Sequence, residues 1–248
     1  SHRNIRAAPA SEAGYGDAMP IAGFDAASLT ADLDQDGHAV RPILSPVACR
    51  RIAELYDDDA RFRKRIVMEN HGYGRGEYKY FAYPLVDPIG ALREALYPAL
   101  AEVANLWRAR SGLEQIFPPT LAAWIDRCHA AGQNRPTPLL LRYEAGGFNC
   151  LHQDLYGELV FPLQVAILLD RPGQDFEGGE FMLVEQRPRA QSRGDIVRLR
   201  QGEAVIFPVR ERPVAGKRGF YRSAMRHGVA TIVSGRRHTL GIIFHDAA

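Results

Sequence analysis

The chain changes character after residue 137, and that change constrains its fold most. Eight short apolar runs follow one another: PLLLRYE, FNCLHQDL, PLQVAILLD, GEFMLVE, DIVRLR, EAVIFP, HGVATIV and HTLGIIFH. Gly and Pro punctuate them. Many short strands at near-regular spacing predict a β-sandwich or barrel.

The preceding half reads as helices. SPVACRRIAELYDDD (45–59) predicts a helix with Ser45 as N-cap and Pro46 at the first helical position. DPIGALREALYPALAEVANLWRARSG (87–112) predicts a long amphipathic helix. Leu92, Leu96, Leu100 and Val103 recur at helical spacing, Gly112 ends it, and Pro98 should kink or split it. PTLAAWIDRCHAAG (119–132) predicts a third helix, and DGHAVRPILSP (36–46) a turn, a short strand and a stop. Helices first and strands later place the helices on one side of a β core, an α+β arrangement. Residues 1–22, rich in Ala, Gly and Pro without periodicity, predict a loosely attached leader. Residues 23–248 then form a single domain, with 23–137 mainly helical support and 138–247 the β core.

Bulk properties exclude several classes. The 248 residues suit one domain, and a hydrophobic content of 46% can fill its core. The three cysteines form no CxxC pair, which points to a reducing cytoplasm rather than a disulfide framework. No stretch approaches 18 apolar residues, so neither a membrane span nor a signal peptide is expected. The glycines of EGGEF and GYGRG fit turns rather than a phosphate cradle.

His152 and Asp154 are two apart in a strand-like run, so both point to the same face. An imidazole and a carboxylate on one face suit a divalent first-row metal, and a second His would complete a facial triad. Taken alone, such a pair is weak, and a solvent-facing His and Asp would read the same. A late run, RHGVATIVSGRRHTLGIIFH (226–245), supplies His227. Ten residues on, Arg237 opens the last strand, with Thr239 on its face. An Arg fork beside a hydroxyl is a receptor for a carboxylate. Arg237 could equally be a solvated surface residue, as Arg236 is expected to be. If buried, it needs a partner, and a bound dicarboxylate would be one.

These pieces together resemble the Fe(II)- and 2-oxoglutarate-dependent dioxygenases, in particular their prolyl-hydroxylase-like branch. RYEAGGFNCLHQD, DFEGGEF, GEAVIFP and HGV…SGRRHTLGIIF occur in the family's order, across roughly 138–245. The fuller runs around HQD and RHTLGIIFHDA look like a bacterial family of such oxygenases associated with damaged DNA. The resemblance implies a double-stranded β-helix (jelly-roll) core with N-terminal flanking helices. It implies His152, Asp154 and His227 as iron ligands. Arg237 would bind the distal carboxylate of 2-oxoglutarate, assisted by Thr239, with Tyr143 and Gln164 lining the pocket. Fe(II), 2-oxoglutarate and O2 would be required, with ascorbate supportive. Oxidative decarboxylation would be coupled to substrate hydroxylation. His38, His71, His129, His238 and His245 are not expected to hold metal.

Charge distribution bears on the substrate. Residues 187–237 carry 13 Lys and Arg against 3 acidic residues. A second cluster, RFRKR (61–65), precedes the aromatic GEYKYFAYPL. Arg interleaved with Tyr and Phe is the footprint of a nucleic-acid strand, so single-stranded or damaged nucleic acid is expected on 187–226 and 61–83. The segment 208–226 is expected at the mouth of the metal site. An inward charge network pairing with Asp57–Asp59 would explain the same residues. The DNA reading implies oxidative demethylation of an N-alkyl group on a flipped or single-stranded base. The prolyl-hydroxylase-like style leaves a protein side-chain substrate open. A cupin-like binding module with no turnover is the non-enzymatic alternative.

Overall fold

The computed structural model describes residues 23–154 and 156–248. The predicted leader, 1–22, lies outside the described residues. In chain order the first half contains α1 (Ala26–Asp36), β1 (Ala39–Pro42), α2 (Pro46–Glu54), β2 (Phe62–Val67), β3 (Gly74–Arg75), β4 (Glu77–Phe81), α3 (Asp87–Arg110) and α4 (Leu121–Ala130). Then come β5 (Leu139–Glu144), β6 (Phe148–His152), β7 (Leu163–Leu168), β8 (Phe176–Gly178), β9 (Phe181–Gln186), β10 (Arg193–Val197), β11 (Glu203–Pro208), β12 (Glu211–Gly216), β13 (Gly219–Val229) and β14 (Ile232–Ile243).

The strands form two antiparallel sheets. The larger runs β1-β11-β7-β14-β5-β4-β2, with β8 on β14, and the smaller runs β10-β9-β13-β6-β3, with β12 on β13. This is the expected double-stranded β-helix. Alternation along the central strands divides two cores. On β7, Leu163, Val165 and Ile167 pack outward with Leu29, Leu96 and Leu100 of the helices, while Ala166 and Leu168 face inward with Phe181, Leu183 and Phe207. On β14, Leu240 and Ile242 join the helix-facing core. Each such fully buried Leu or Ile contributes roughly 1.5–3 kcal/mol. Arg237 and Thr239, on the other face of β14, are therefore committed to the interior between the sheets.

The predicted helices form where their caps dictate. The Ser45 side chain accepts from Ala48 N–H with Pro46 in the first turn, and Thr120 caps α4 through Ala123 N–H. Pro98, however, neither splits nor ends α3, which runs unbroken for 24 residues. Its ring sits on the exposed side of the helix. The buried Leu96, Tyr97, Leu100 and Ala101 hold the other side to the core. Any carbonyl the proline frees can thus be hydrated. Helix α1 was not foreseen. Asp25 caps it and Gly37 ends it at φ 77°.

The first half is also more than helical support. β1 extends the large sheet at β11, and β4 and β2 extend it at β5, while β3 joins the small sheet at β6. The chain crosses between sheets at Gly76 (φ 142°), where a Cβ would stand 2.8 Å from the Tyr143 ring. Residues 62–81 are thus woven into both sheets.

Candidate active site

Adjacent strands of the small sheet carry the site. His227 on β13 is the direct cross-strand partner of His152 at the end of β6. Paired positions put both imidazoles on one face, with ring centroids 4.2 Å apart. Asp154 follows in the turn and reaches between them. Its Oδ1 lies 3.4 Å from His152 Nε2 and its Oδ2 lies 3.3 Å from His227 Nε2. One ligand atom from each of the three residues lies within 4.8 Å of the others. His152 Nδ1 is 2.8 Å from the Cys150 carbonyl, so that nitrogen carries the proton and Nε2 presents a lone pair. His227 stacks near-parallel on Phe181 and tilts against Phe207, which fixes its ring.

The electrostatics suit a cation. Burial opposes ionisation of Asp154, but hydrogen bonds and charge from His152 and His227 outweigh it and hold the carboxyl well below its usual range. Burial also works against a charged His152; there the Asp154 carboxylate prevails and raises the pKa. In His227 burial prevails and lowers it.

Arg237, Thr239, Tyr143 and Gln164 are buried in the interior between the sheets. Arg237 is 2% exposed, its Nη1 donates to Thr239 Oγ1 at 2.5 Å, and its Nε is buried without a partner. Tyr143 is fully buried, with its ring centroid 5.9 Å from the guanidinium. Its hydroxyl accepts from Asn149 Nδ2 at 3.3 Å. Gln164 shares the inward face of β7 with Ala166 and Leu168, and its Nε2 is also buried without a partner. Two orphaned donors in a dry interior are costly unless an acceptor meets them. The Gly-Gly turn packs closely against Arg237 and Ile232. Gly178 and Gly179 have φ 74° and 65°, and a Cβ on Gly179 would stand 3.0 Å from Arg237 Cδ.

Sequence reasoning missed three supporting residues. Gln153 Nε2 donates to the carbonyls of Arg210 and Met225, at 2.9 Å each, and ties the ligand turn to the segments flanking β12 and β13. The Tyr156 hydroxyl donates to Asp154 Oδ1 at 3.0 Å, and the Tyr80 hydroxyl contacts that of Tyr156 at 3.1 Å. All three sit beside residues already singled out, but nothing in spacing reveals which way such side chains turn. Among the described residues, no other histidine joins the triad. His238 pairs with Asp170, His129 with Asp246, and His245 accepts from Phe161 N–H.

The Arg-rich segments are sorted differently from expectation. Arg212 is buried, paired with Glu185 at 3.0 Å and bonded to the Leu33 and Asp34 carbonyls. The two ends of the segment 208–226 lie beside the ligand turn, through Arg210 and Met225, while its middle leads away from it. The segment forms the β12–β13 hairpin, whose Phe220 meets Arg110 of α3. Nine strand residues at about 3.3 Å each put Arg218 roughly 30 Å from His227. Pairing with Asp57–Asp59 also exists, at the surface rather than inward: Arg61, Lys79 and Arg142 pair with the exposed Asp58, Asp59 and Asp57. Arg210, Lys217, Arg218 and Arg226 are exposed, with no ion pair among the described residues.

A two-His, one-carboxylate set with open positions defines the class of non-haem metal oxygenases. Comparison with known proteins agrees. A family described as an oxygenase catalysing oxidative methylation of damaged DNA matches residues 76–247. The chain belongs to this oxygenase family, as the resemblance implied. Two uncharacterised proteins of Mycobacterium tuberculosis strains are each 51% identical over 191 residues, covering 75% of this chain and 82% of theirs. Among solved structures, a Pseudomonas putida prolyl-4-hydroxylase aligns at 14% identity and TM-score 0.47, over 90% of this chain and 98% of its own. A Burkholderia pseudomallei 2OG-Fe(II) oxygenase aligns at 17% and 0.46, over 90% and 92%. No helix among the described residues is long and apolar enough to cross a membrane.

Proposed function

We propose that this enzyme is an Fe(II)- and 2-oxoglutarate-dependent dioxygenase that demethylates N-alkylated bases in DNA, with residues 23–248 acting as one catalytic domain. The observation that carries the reading is the His152–Asp154–His227 set facing a buried, unpaired Arg237. His152, Asp154 and His227 would hold the iron. Arg237 and Thr239 would take the distal carboxylate of 2-oxoglutarate, and the orphaned Arg237 Nε and Gln164 Nε2 are donors such a dianion can satisfy. Tyr143 closes the pocket with an apolar wall.

When bound, iron and 2-oxoglutarate activate O2, placing one oxygen atom in succinate with release of CO2 and the other in a substrate C–H bond. Hydroxylating an N-methyl group gives an N–CH2OH group. Its C–N bond then breaks, leaving the base N–H and formaldehyde. Oxygen chemistry of this kind removes a methyl group from damaged DNA. The chain's own residues bind, orient and exclude water: Phe181, Phe207 and Leu183 keep the inner pocket dry, and Gln153 and Tyr156 hold the ligand turn in place. Phosphates would meet Arg210 and Arg226, which are exposed and lie beside the ligand turn and His227.

The test is succinate and formaldehyde release with Fe(II), 2-oxoglutarate and ascorbate, with methylated or unmethylated single-stranded DNA. Stimulation by the methylated strand alone is expected. Equal turnover with both strands would remove DNA as the substrate.

A further inference from the structure

Tyr156, Tyr80 and Tyr78 run in a chain of contacts from Asp154, and Tyr73 sits beside β6, which carries His152; the proposed chemistry uses only Tyr156, as a support. The Tyr156 hydroxyl reaches Asp154, and Tyr80 meets Tyr156 edge-on at 6.2 Å between centroids. Tyr78 meets Tyr80 edge-on at 5.4 Å. Burial, with Tyr80, Tyr73 and Asp154 as lesser causes, pushes the Tyr78 phenol up. Tyr73 is the outermost of the four.

Tyr73 is 48% exposed. Its backbone is nevertheless fixed. The Cys150 N–H donates to its carbonyl at 2.9 Å, two residues before His152. Its own N–H donates to the Met68 carbonyl at 3.1 Å. The next residue, Gly74, pairs with Asn149, and a Cβ there would stand 2.3 Å from the Phe148 carbonyl oxygen. Only glycine lets β3 press this close to β6. His71 stacks on Tyr73 at 5.2 Å and 20°. Gly72, at φ 71°, makes the turn that brings these two rings face to face. Arg75, two residues on, has a side chain 62% exposed and only a 3.9 Å approach to Glu69.

We infer that Tyr73, backed by His71, is a stacking platform for an unpaired base of the DNA substrate at the rim of the metal site. This rests on the DNA reading above. A near-parallel pair of rings held by rigid backbone offers a flat face that a third ring can extend. A nucleobase has such a face, and a peptide backbone does not. Arg75 supplies a cation for the adjoining phosphate. The tyrosine wall behind offers ring faces to the positive charge that N-alkylation places on a base. A base in a duplex cannot stack here, so the platform selects single-stranded or flipped substrate.

The experiment uses the full chain and a methylated single-stranded oligonucleotide with 2-aminopurine beside the methylated base. Fluorescence quenching reports stacking and binding, and formaldehyde release reports turnover. Base stacking is worth about 1–3 kcal/mol, so Tyr73→Ala should weaken binding roughly 5- to 150-fold and abolish the quench. Tyr73→Trp should restore both, which a merely structural role would not predict. Quenching and affinity unchanged in Tyr73→Ala, with formaldehyde still released by the unmodified protein, would overturn the platform and leave the DNA reading intact. No formaldehyde from the unmodified protein, with a proline- or methyl-lysine-containing peptide stimulating succinate release instead, would overturn both.

Discussion

Arg237 and Thr239 lie two residues apart on the inward face of β14, joined by a 2.5 Å hydrogen bond, and no carboxylate among the described residues pairs with that guanidinium. A buried charge held this way is completed by a ligand. Arg237→Ala should raise the 2-oxoglutarate requirement by roughly 150- to 5,000-fold, equivalent to about 3–5 kcal/mol for a broken buried pair. Arg237→Lys keeps the charge but loses the fork, and should fall between. Thr239→Val should cost about 1 kcal/mol, roughly fivefold. Succinate release against 2-oxoglutarate concentration measures all three, and an unchanged requirement in Arg237→Ala would remove it from the pocket.

Single Ala replacements of His152, Asp154 or His227 should abolish iron-dependent succinate formation and lower iron per protein chain, read by elemental analysis. Chelation should silence the unmodified protein and added Fe(II) should restore it. A variant that keeps both iron and turnover would mean another residue completes the site.

Arg212 and Arg210 are two apart, yet opposite effects are expected. Arg212→Ala removes the buried partner of Glu185 and leaves it only the more exposed Arg187, so urea unfolding should show a loss of about 1–3 kcal/mol. Arg210→Ala should leave stability near that of the unmodified protein. It should lower the slope of log affinity against log salt for single-stranded DNA by about 0.7, one phosphate contact. A stable Arg212→Ala protein would contradict the buried network.

His245 gives the fold an acid limit. Burial, reinforced by Arg93, lowers its pKa from 6.5 to about 4. The unfolded chain therefore binds more protons than the folded one between these values, so stability falls as pH drops from 6.5 towards 4. The full loss is about 3 kcal/mol at most. Unfolding free energies across this range should show the slope in the unmodified protein and a shallower one in His245→Asn. Identical slopes would assign the acid sensitivity elsewhere.

Most of the chemistry was legible because it is local. His152 and Asp154 were legible as a close pair, although β6 ends at His152 and Asp154 lies in the turn after it; Arg237 and Thr239 share a face by strand periodicity, and glycine pairs such as Gly178–Gly179 mark positive φ. Capped helices were legible for the same reason: Ser45 and Thr120 act within three residues. Pro98 misled because its effect depends on which side of α3 meets solvent. The Arg-rich run misled because charge counts carry no direction. Arg212 turns into the core and Arg210 out of it, although sequence treats them alike.

The sequence by itself therefore determined the strand-rich core, the metal-binding residue types and the oxygenase class, all properties of short-range pattern. Only the tertiary structure decided that His227 sits directly opposite His152, because strand register is a long-range choice set by burying one face of each strand. It alone brought Tyr73 beside β6, Tyr156 onto Asp154 and Arg212 onto Glu185. These contacts join residues whose side-chain directions become defined only when the two sheets close on one another.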